Sequence, residues 1–487
     1  MITGISKYKL NSGLGFSVLA VLSLLMAWMA ARYEFAMIPL AVAGVAASLF
    51  TVAATMINPS HGLLLNLAIS FLVYLPQRIL GLTYSLASIW EIHLVICFFA
   101  ALFSLKGADI KNDNRAFFRN PITIFVIIYF LYILLQFFNP NVPGKMGWIL
   151  FIRRAVSFMF IYFTAYYILN DFHKIRRFFQ VFIIMVAIAT AYGYWQQTFG
   201  LPSWDFAHLN QSSLMYNLHV QWGLIRKFSF LDVVIYPMIV NVGALILVIF
   251  ALFEKRQKIL LLYIVAAVIM LVGASFSGTR SASYIFPAGL LLYSVTNINK
   301  PRTILIYGAV IAIIFLLVTL PVHRFNTLNR FRSSFTVDDA SLEVRNTNRE
   351  RIQPYIYAHP FGGGLLTTGA NGEKLFPDHP LAKFPPDSGL LATALEKGWV
   401  GLILDMLLFL VIMIEGTKGY FRTGNEAFKK YYLAMTCGIF SLVLGEYAQI
   451  VIFQIPVRMF FLPAAAIIIR LRQLDKQTPD TLLIKQK

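Results

Sequence analysis

The chain has 487 residues, of which 58% are hydrophobic and only 13% are charged, and its net charge is +19. So few charges cannot cover the surface of a water-soluble protein of this length, which excludes the soluble classes and predicts that lipid is the solvent for much of the chain. The positive charge is typical of membrane proteins with a basic cytoplasmic side and of proteins with anionic lipid or ligand partners, so no nucleic-acid partner is predicted.

Apolar runs of membrane-spanning length follow one another along the chain. Because a transmembrane helix needs about 20 mostly apolar residues, we predict an all-α, polytopic membrane helical bundle of about 14 transmembrane helices, or roughly 12 to 14. The third and tenth spans are short and are interpreted as partial or broken helices. The predicted spans are 14–31, 35–57, 62–77, 86–105, 121–138, 155–169, 178–196, 232–252, 259–276, 281–296, 303–320, 389–414, 431–452 and 455–470.

The basic residues predict how these spans are oriented. Lys and Arg are more numerous in one alternating set of connecting segments than in the short segments of the other set, and the richer set faces the cytoplasm. Both termini are therefore expected in the cytoplasm, and the long polar loop at 321–388 on the outer side. We expect residues 1–487 to form one membrane domain, in which this loop is a small, partly folded cap.

Arginines in the predicted outer segments indicate an anionic ligand. They oppose the orientation rule, and a guanidinium stays charged and pairs bidentately with phosphate. Contact with lipid headgroups is the preferred interpretation for Arg32, Arg78 and Arg458, and phosphate or diphosphate binding for the arginines near the long loop. The latter are Arg153, Arg154, Arg226, Arg280, Arg345, Arg349 and Arg351.

Arg280 is the most informative of these arginines. It ends a Ser-rich turn between two apolar runs, and a charge at that depth generally faces a wet cavity or a partner. Asp405 and Glu446 lie inside predicted spans, so each is either a functional group or a structural partner for a cation or the backbone. The two cysteines lie in apolar runs and are interpreted as buried hydrophobes. No clustered carboxylates or CxxC pair occur, so no metal and no cofactor are predicted.

The long loop carries two further patterns. An arginine-rich stretch leads to His359 and Pro360, followed by Gly363 and Gly364, where a glycine backbone allows close approach of a ligand. His359 precedes proline and is expected in an extended or turn conformation.

The second pattern lies where the loop enters the next helix. Asp387 and Ser388 are followed by residues 389–397 and then by Gly398 and Gly401. With the turn at Arg280 and the stretch from Arg345 to Gly364, this makes three features in a fixed order.

In these three features the chain resembles the O-antigen ligase and Wzy-type O-antigen polymerase family, bacterial membrane glycosyltransferases of the GT-C type. The resemblance covers the second half of the chain well and the first half only in its many-helix layout. It implies a location in the bacterial inner membrane and a polyprenyl-diphosphate-linked oligosaccharide donor. It also implies a glycan or lipid acceptor, with a chain-length regulator as a further partner.

The sequence departs from the family at one position. The family's ligases place a histidine where this chain has Asp387, which favours a polymerase over a ligase. A carboxylate there can accept the proton of the acceptor hydroxyl, so Asp387 is the predicted base. His359 and His379 are the nearby candidates for the missing histidine role.

The predicted chemistry is glycan transfer without a metal and with inversion at the sugar carbon. Fixed arginines can stabilise the diphosphate leaving group, and we assign this role to Arg226, Arg280 and Arg345, with Arg349 and Arg154 as further candidates. The alternatives are a lipid-linked glycan transporter or flippase, and a non-catalytic partner in polysaccharide assembly. A transporter would favour internal repeats and charges along a central path, whereas this chain concentrates charge at one face and in one loop.

Overall fold

The computed structural model describes residues 48–81, 86–104, 114–221, 224–301, 303, 308, 312 and 340–477. Of the residues that the structure describes, 78% are helical and almost none lie in strands, which confirms the predicted all-α membrane fold. The helices in the first half are α1 (Ser48–Ile57), α2 (Pro59–Leu72), α3 (Tyr74–Ile79), α4 (Ala87–Ser104), α5 (Pro121–Leu135), α6 (Met146–Ile168), α7 (Phe172–Phe199), α8 (Ser203–Leu209) and α9 (Ser213–His219).

The second half continues the helical pattern after a two-residue strand pair, β1 (Val220–Gln221) and β2 (Leu224–Ile225). Single 3-10 turns follow α5 and precede α12. The helices are α10 (Ile235–Leu252), α11 (Gln257–Ser275), α12 (Ile285–Thr296), α13 (Ala340–Ala358), α14 (Gly369–Leu375), α15 (Gly389–Arg422), α16 (Glu426–Ala448) and α17 (Arg458–Gln477).

Within the described ranges, eight helical segments are long and apolar enough to cross a bilayer. The predicted spans 14–31 and 303–320, and most of 35–57, fall largely or wholly outside these ranges. The predicted spans 281–296, 431–452 and 455–470 lie within them but are not among the eight, so the total of about 14 stays a prediction. The eight segments are Pro59–Ile79, Ala87–Ser104, Pro121–Phe138, Met146–Ile168, Phe172–Phe199, Ile235–Leu252, Gln257–Ser275 and Gly389–Arg422.

The core of the bundle is formed by α10, α16 and α17. Of the most apolar stretch of α10, 89% is buried, and α10 packs against α7, α11 and α16. A helix that is apolar all round and surrounded by other helices contacts protein instead of lipid. Cys437 on α16 and Cys97 on α4 are both fully buried, as predicted.

The two short predicted spans are interrupted helices. The third span divides between α2 and α3 at Val73, with Pro76 in the first turn of α3. The tenth begins as a 3-10 turn, Arg280–Tyr284, and continues as the 12-residue α12. The second interruption places Arg280 in the turn that connects α11 to α12.

The start of α6 differs from the prediction. The sequence predicts a span at 155–169, but α6 begins at Met146, so Arg153 and Arg154 lie inside a helix. Glu91 on α4 allows this, because its Oε2 lies 3.0 Å from Arg153 Nε and offsets the charge. Hydropathy could not predict the longer helix because the compensating carboxylate comes from another helix.

Candidate active site

One cavity of about 1100 Å³ brings together five of the charged residues that the sequence singled out. Residues from α3, α8, α9, the 3-10 turn before α12, α13 and α16 line it, together with the entry to α15. Its ionisable side chains include four arginines and two aspartates, so positive charge is in excess. These are Arg78, Arg226, Arg280, Arg349, Asp232 and Asp387.

Arg226 is clamped in the cavity wall. Its side chain is 5% exposed. Nε donates to the Ser277 carbonyl (2.7 Å), Nη1 to the Leu218 carbonyl (2.9 Å) and Nη2 to Thr279 Oγ1 (2.5 Å). These three acceptors are neutral oxygens, and they fix the orientation of the guanidinium in the cavity wall.

The turn that leads to Arg280 is rigid. The backbone N–H of Thr279 donates to Ser277 Oγ (3.1 Å), and the Thr279 hydroxyl donates to the Val233 carbonyl (2.7 Å). The Ser-rich composition recognised in the sequence therefore serves to fix this turn. Arg280 follows at the start of the 3-10 turn and lines the cavity beside the clamped Arg226.

Arg349 reaches the cavity from the long loop. It lies on α13, where Asn346, one helical turn earlier, also lines the cavity. Its Nη1 donates to the Tyr447 hydroxyl on α16 (2.7 Å), and its guanidinium carbon lies 4.6 Å from the centre of that ring. This contact attaches the loop helix to the bundle at the cavity.

Asp387 lines the cavity where the loop enters α15. The next residue, Ser388, is the N-cap of α15 and accepts a hydrogen bond from the Leu391 N–H (3.0 Å). Gly389 then packs directly against the carboxylate of Glu446, leaving no space for a Cβ. The backbone that follows Asp387 is therefore held by the N-cap hydrogen bond of Ser388 and by the close packing of Gly389.

Glu446 has the structural role that the sequence left open. Its Oε2 accepts the backbone N–H groups of Val451 (2.8 Å) and Ile452 (2.7 Å), just beyond the end of α16. A buried carboxylate that accepts two backbone N–H groups organises the connection from α16 to α17.

The glycines of the loop and of α15 meet in one interface. The Gly363 N–H donates to the Leu395 carbonyl (2.8 Å), and the Gly364 N–H donates to the Glu396 carbonyl (3.0 Å). In return the Val400 N–H donates to the Pro360 carbonyl (3.3 Å). The turn after His359 is thus hydrogen-bonded to α15 at a kink.

The kink itself lies at Gly398. This residue has φ 71° and ψ 179°, a backbone conformation that favours glycine, and a Cβ there would collide with the Pro360 carbonyl. Gly401 packs one turn later against Lys397 and Tyr132. Gly363, Gly364, Gly398 and Gly401 therefore join the loop to the bundle and do not line the cavity.

We expect Gly398→Ala to release the loop turn from α15. The left-handed backbone alone costs about 1–3 kcal/mol for a residue with a Cβ, and the collision with Pro360 adds to it. In limited proteolysis the loop should be cleaved faster in the variant, with a lower unfolding temperature. Gly424→Ala is the matched control because nothing lies near its Cβ position. Equal protection of the two variants would contradict this explanation of the kink.

Two predicted site residues, His359 and Arg154, stand apart from the cavity. His359 stacks on Tyr355 (ring centres 4.0 Å apart), and its Nδ1 lies 2.8 Å from the Tyr355 carbonyl. Arg154 is exposed on α6 and does not line the cavity. Arg345 lies on α13, but its side chain is outside the described residues.

Lys397 is a buried residue that the sequence analysis missed. Its Nζ lies 3.0 Å from Asp405 Oδ2 and donates to the Tyr129 hydroxyl (2.9 Å), and both charged side chains are at most 4% exposed. Thr393 also donates to Asp405 (3.0 Å). Asp405 is therefore an ion-pair partner at the kink. The sequence signal for Lys397 was its position directly before Gly398 of the motif.

Arg78 and Arg458 are also placed differently from the sequence interpretation, since they are 7% and 5% exposed and do not reach headgroups. Arg78 pairs with Asp205 (3.4 Å) and donates to the Ser229 carbonyl (3.1 Å). Arg458 lies 3.6 Å from Glu91 and over the Trp90 ring. Each is paired with a carboxylate from a distant segment of the chain, and no local sequence pattern predicts such a pair. Arg32 lies outside the described residues.

The comparison with protein families agrees with the position of this cavity. Residues 265–405 match the family model described as O-antigen ligase. This segment is similar to an O-antigen ligase domain. It contains Arg280, Arg349, Asp387 and the kink, whereas Arg226 precedes it. Among curated proteins, none matches the chain.

The O-antigen ligase domain confirms the family resemblance. With the eight membrane-length segments it identifies an integral membrane protein, and it supports a membrane enzyme of surface-polysaccharide assembly that uses lipid-linked glycans as donor and acceptor. Within the ranges that the structure describes, no three His, Cys, Asp or Glu side chains come together as metal ligands would.

Proposed function

We propose that the protein is a glycosyltransferase of the bacterial inner membrane that polymerises polyprenyl-diphosphate-linked glycans at the outer face. The observation that carries the proposal is the single cavity that brings Arg226, Arg280 and Arg349 together with Asp387. In this proposal the termini are cytoplasmic and the 321–388 loop covers the site from outside. The reaction is metal-independent and inverting.

The arginines suit a diphosphate better than a neutral ligand. Arg226 is held by hydrogen bonds to neighbouring turns, so its side chain loses little conformational entropy when an anion binds. Ser281 and Gln77 also line the cavity, and among the described residues the buried atoms Ser281 Oγ and Gln77 Oε1 have no hydrogen-bond partner. Buried polar atoms of this kind are available to a ligand or to water.

The remaining lining suits the lipid part of the donor. Ile285, Leu444 and Ile455 contribute apolar side chains to the cavity. Leu444 and Tyr447 are 45% and 56% exposed, so this side of the cavity continues to the outer surface of the bundle. We propose that the polyprenyl chain leaves the cavity along this apolar side.

Asp387 is the proposed base. Its carboxylate takes the proton of the acceptor hydroxyl, and the oxygen attacks the sugar carbon attached to the diphosphate. The bond from that carbon to the diphosphate oxygen breaks, and its electron pair leaves with the polyprenyl diphosphate, whose charge the arginines stabilise. Attack from the face opposite the leaving group inverts the configuration of the carbon.

Polymerase activity is proposed ahead of ligase activity because of Asp387. The family's ligases have histidine at this position, and His359 does not line the cavity to replace it. The acceptor is then another lipid-linked glycan.

The donor site is tested by binding of undecaprenyl diphosphate to the purified protein. We expect Arg280→Ala and Arg349→Ala to weaken binding at least about tenfold each, because a hydrogen bond to a charged group contributes roughly 1.5–3 kcal/mol. Arg351→Ala is the matched control, since Arg351 is exposed on the same helix as Arg349 and does not line the cavity.

Transfer by the wild type is then followed with lipid-linked donor in the presence of EDTA. A ladder of longer lipid-linked glycans supports a metal-independent polymerase. Equal binding by all three variants would refute the arginine site. A wild type that binds the donor but never transfers its glycan would favour a flippase or an assembly partner instead.

A further inference from the structure

One wall of the cavity carries polar side chains but no cationic ones. His208, Met215, Leu218 and Gln221 line it, and all four come from the segment between α7 and α10. Residues 203–221 contain no lysine and no arginine. The cavity therefore has a neutral, partly polar wall in the same space as the four guanidinium groups.

The neutral wall is anchored at its base by Asp205, which is fully buried on α8. Its carboxylate pairs with Arg78 (3.4 Å) and accepts hydrogen bonds from Gln196 Nε2 (2.8 Å) and the Tyr192 hydroxyl (3.0 Å). Asp205 precedes His208 by three residues, so this network also fixes the helical turn that carries the histidine.

The same wall is connected to the donor arginines. Arg226 Nη1 donates to the Leu218 carbonyl (2.9 Å), and the Arg226 backbone N–H donates to the His219 carbonyl (2.8 Å). Ligands bound at the neutral wall and at Arg226 would therefore be held by parts of one hydrogen-bonded unit.

His208 presents an acceptor atom on this wall. Its Nδ1 lies 3.2 Å from Gln211 Oε1, which can only accept, so Nδ1 carries the hydrogen and Nε2 carries the lone pair of the neutral ring. Burial, together with the neighbouring Arg78, lowers the pKa of His208 to about 4. The ring is thus neutral at pH 7 and can accept a hydrogen bond.

We propose that this neutral wall binds the sugar of the acceptor glycan, with His208 Nε2 accepting a hydrogen bond from a sugar hydroxyl and with Met215 and Leu218 packing against the sugar ring. Sugars are uncharged and need such neutral hydrogen-bonding groups beside an apolar surface, whereas the donor diphosphate is drawn to the arginines. The two substrates are thereby separated by charge inside one cavity. This proposal rests on the proposed function.

The test measures transfer kinetics of the full-length purified protein. Donor and acceptor are lipid-linked oligosaccharides isolated from the source cells, with a labelled donor held at saturation and the acceptor varied. We expect His208→Ala to raise the acceptor KM about tenfold, equivalent to roughly 1.4 kcal/mol. His208→Gln should recover most of this loss because its amide oxygen can accept the same hydrogen bond. Binding of undecaprenyl diphosphate should stay within about twofold of wild type in both variants.

His173→Ala is the control. His173 is exposed at the N-terminal end of α7, whereas Gln196, which contacts the neutral wall through Asp205, lies near the other end of that helix. An unchanged acceptor KM in His208→Ala would overturn the proposal. So would an equal loss of undecaprenyl diphosphate binding, which would indicate damage to the whole cavity. The proposed function fails by a different result, since there the wild type itself transfers nothing.

Discussion

Asp387→Asn should abolish glycan transfer while leaving donor binding intact. A positioned general base contributes about 100-fold to 10,000-fold to the rate, so we expect transfer to fall by at least about 100-fold. The neutral amide also removes a negative charge from the cavity, so undecaprenyl diphosphate should bind as tightly as in wild type or more tightly. Initial rates of glycan transfer and direct binding of undecaprenyl diphosphate measure the two effects separately.

Two controls make this prediction specific. Asp378→Asn changes an exposed aspartate of the same loop and should behave as wild type. Asp232→Asn changes the other cavity aspartate identified above, whose Oδ1 already accepts the Val234 N–H (2.8 Å), and should keep most of the activity. A large rate loss in Asp232→Asn with little in Asp387→Asn would transfer the role of base to Asp232.

Lys397→Met should produce the largest loss of stability. It leaves Asp405 buried without its cation, and breaking a buried pair by removing one partner costs about 3–5 kcal/mol. The backbone carbonyl of Lys397 also accepts a hydrogen bond from Tyr132, so the buried pair lies beside the kink at the point where the loop docks. We expect a clearly lower unfolding temperature in detergent micelles and weaker protection of the loop from proteolysis.

The double variant Lys397→Met with Asp405→Leu distinguishes the effect of an unpaired buried charge from the effect of changed packing. Replacing both partners by apolar side chains leaves no unpaired charge, so the double variant should recover much of the lost stability. Lys383→Met changes an exposed loop lysine and serves as the control. The explanation is refuted if Lys397→Met unfolds like wild type or if the double variant is no more stable than the single one.

Much of the fold could be predicted from the sequence because lipid requires each spanning segment to satisfy its own backbone hydrogen bonds. A run of about 20 apolar residues is predicted as a helix with no knowledge of its neighbours, since every backbone group in lipid must bond within the segment. This reasoning placed the spans that became α7, α10 and α11. It failed at the start of α6, where Arg153 is accommodated by Glu91 from α4.

Part of the candidate site could also be predicted from the sequence. Arg280 was recognised from its Ser-rich turn and Asp387 from its spacing to Gly398, and both line the cavity. The glycine pattern was recognised as well, but its physical role in joining two backbones was not. His208 gave no signal, because a single histidine in a short connecting segment has no periodicity or motif to distinguish it.

The sequence by itself determined that the chain is an all-α membrane protein and that its second half carries the motifs of one family, because hydropathy and residue spacing are local properties. Only the tertiary structure decided which charges share a cavity and which are neutralised elsewhere. Arg280 and Asp387 line one space, whereas Arg458 pairs with Glu91 and Lys397 pairs with Asp405. Charge pairing depends on distances of a few ångströms between helices that are far apart in the chain, and those distances are set by packing.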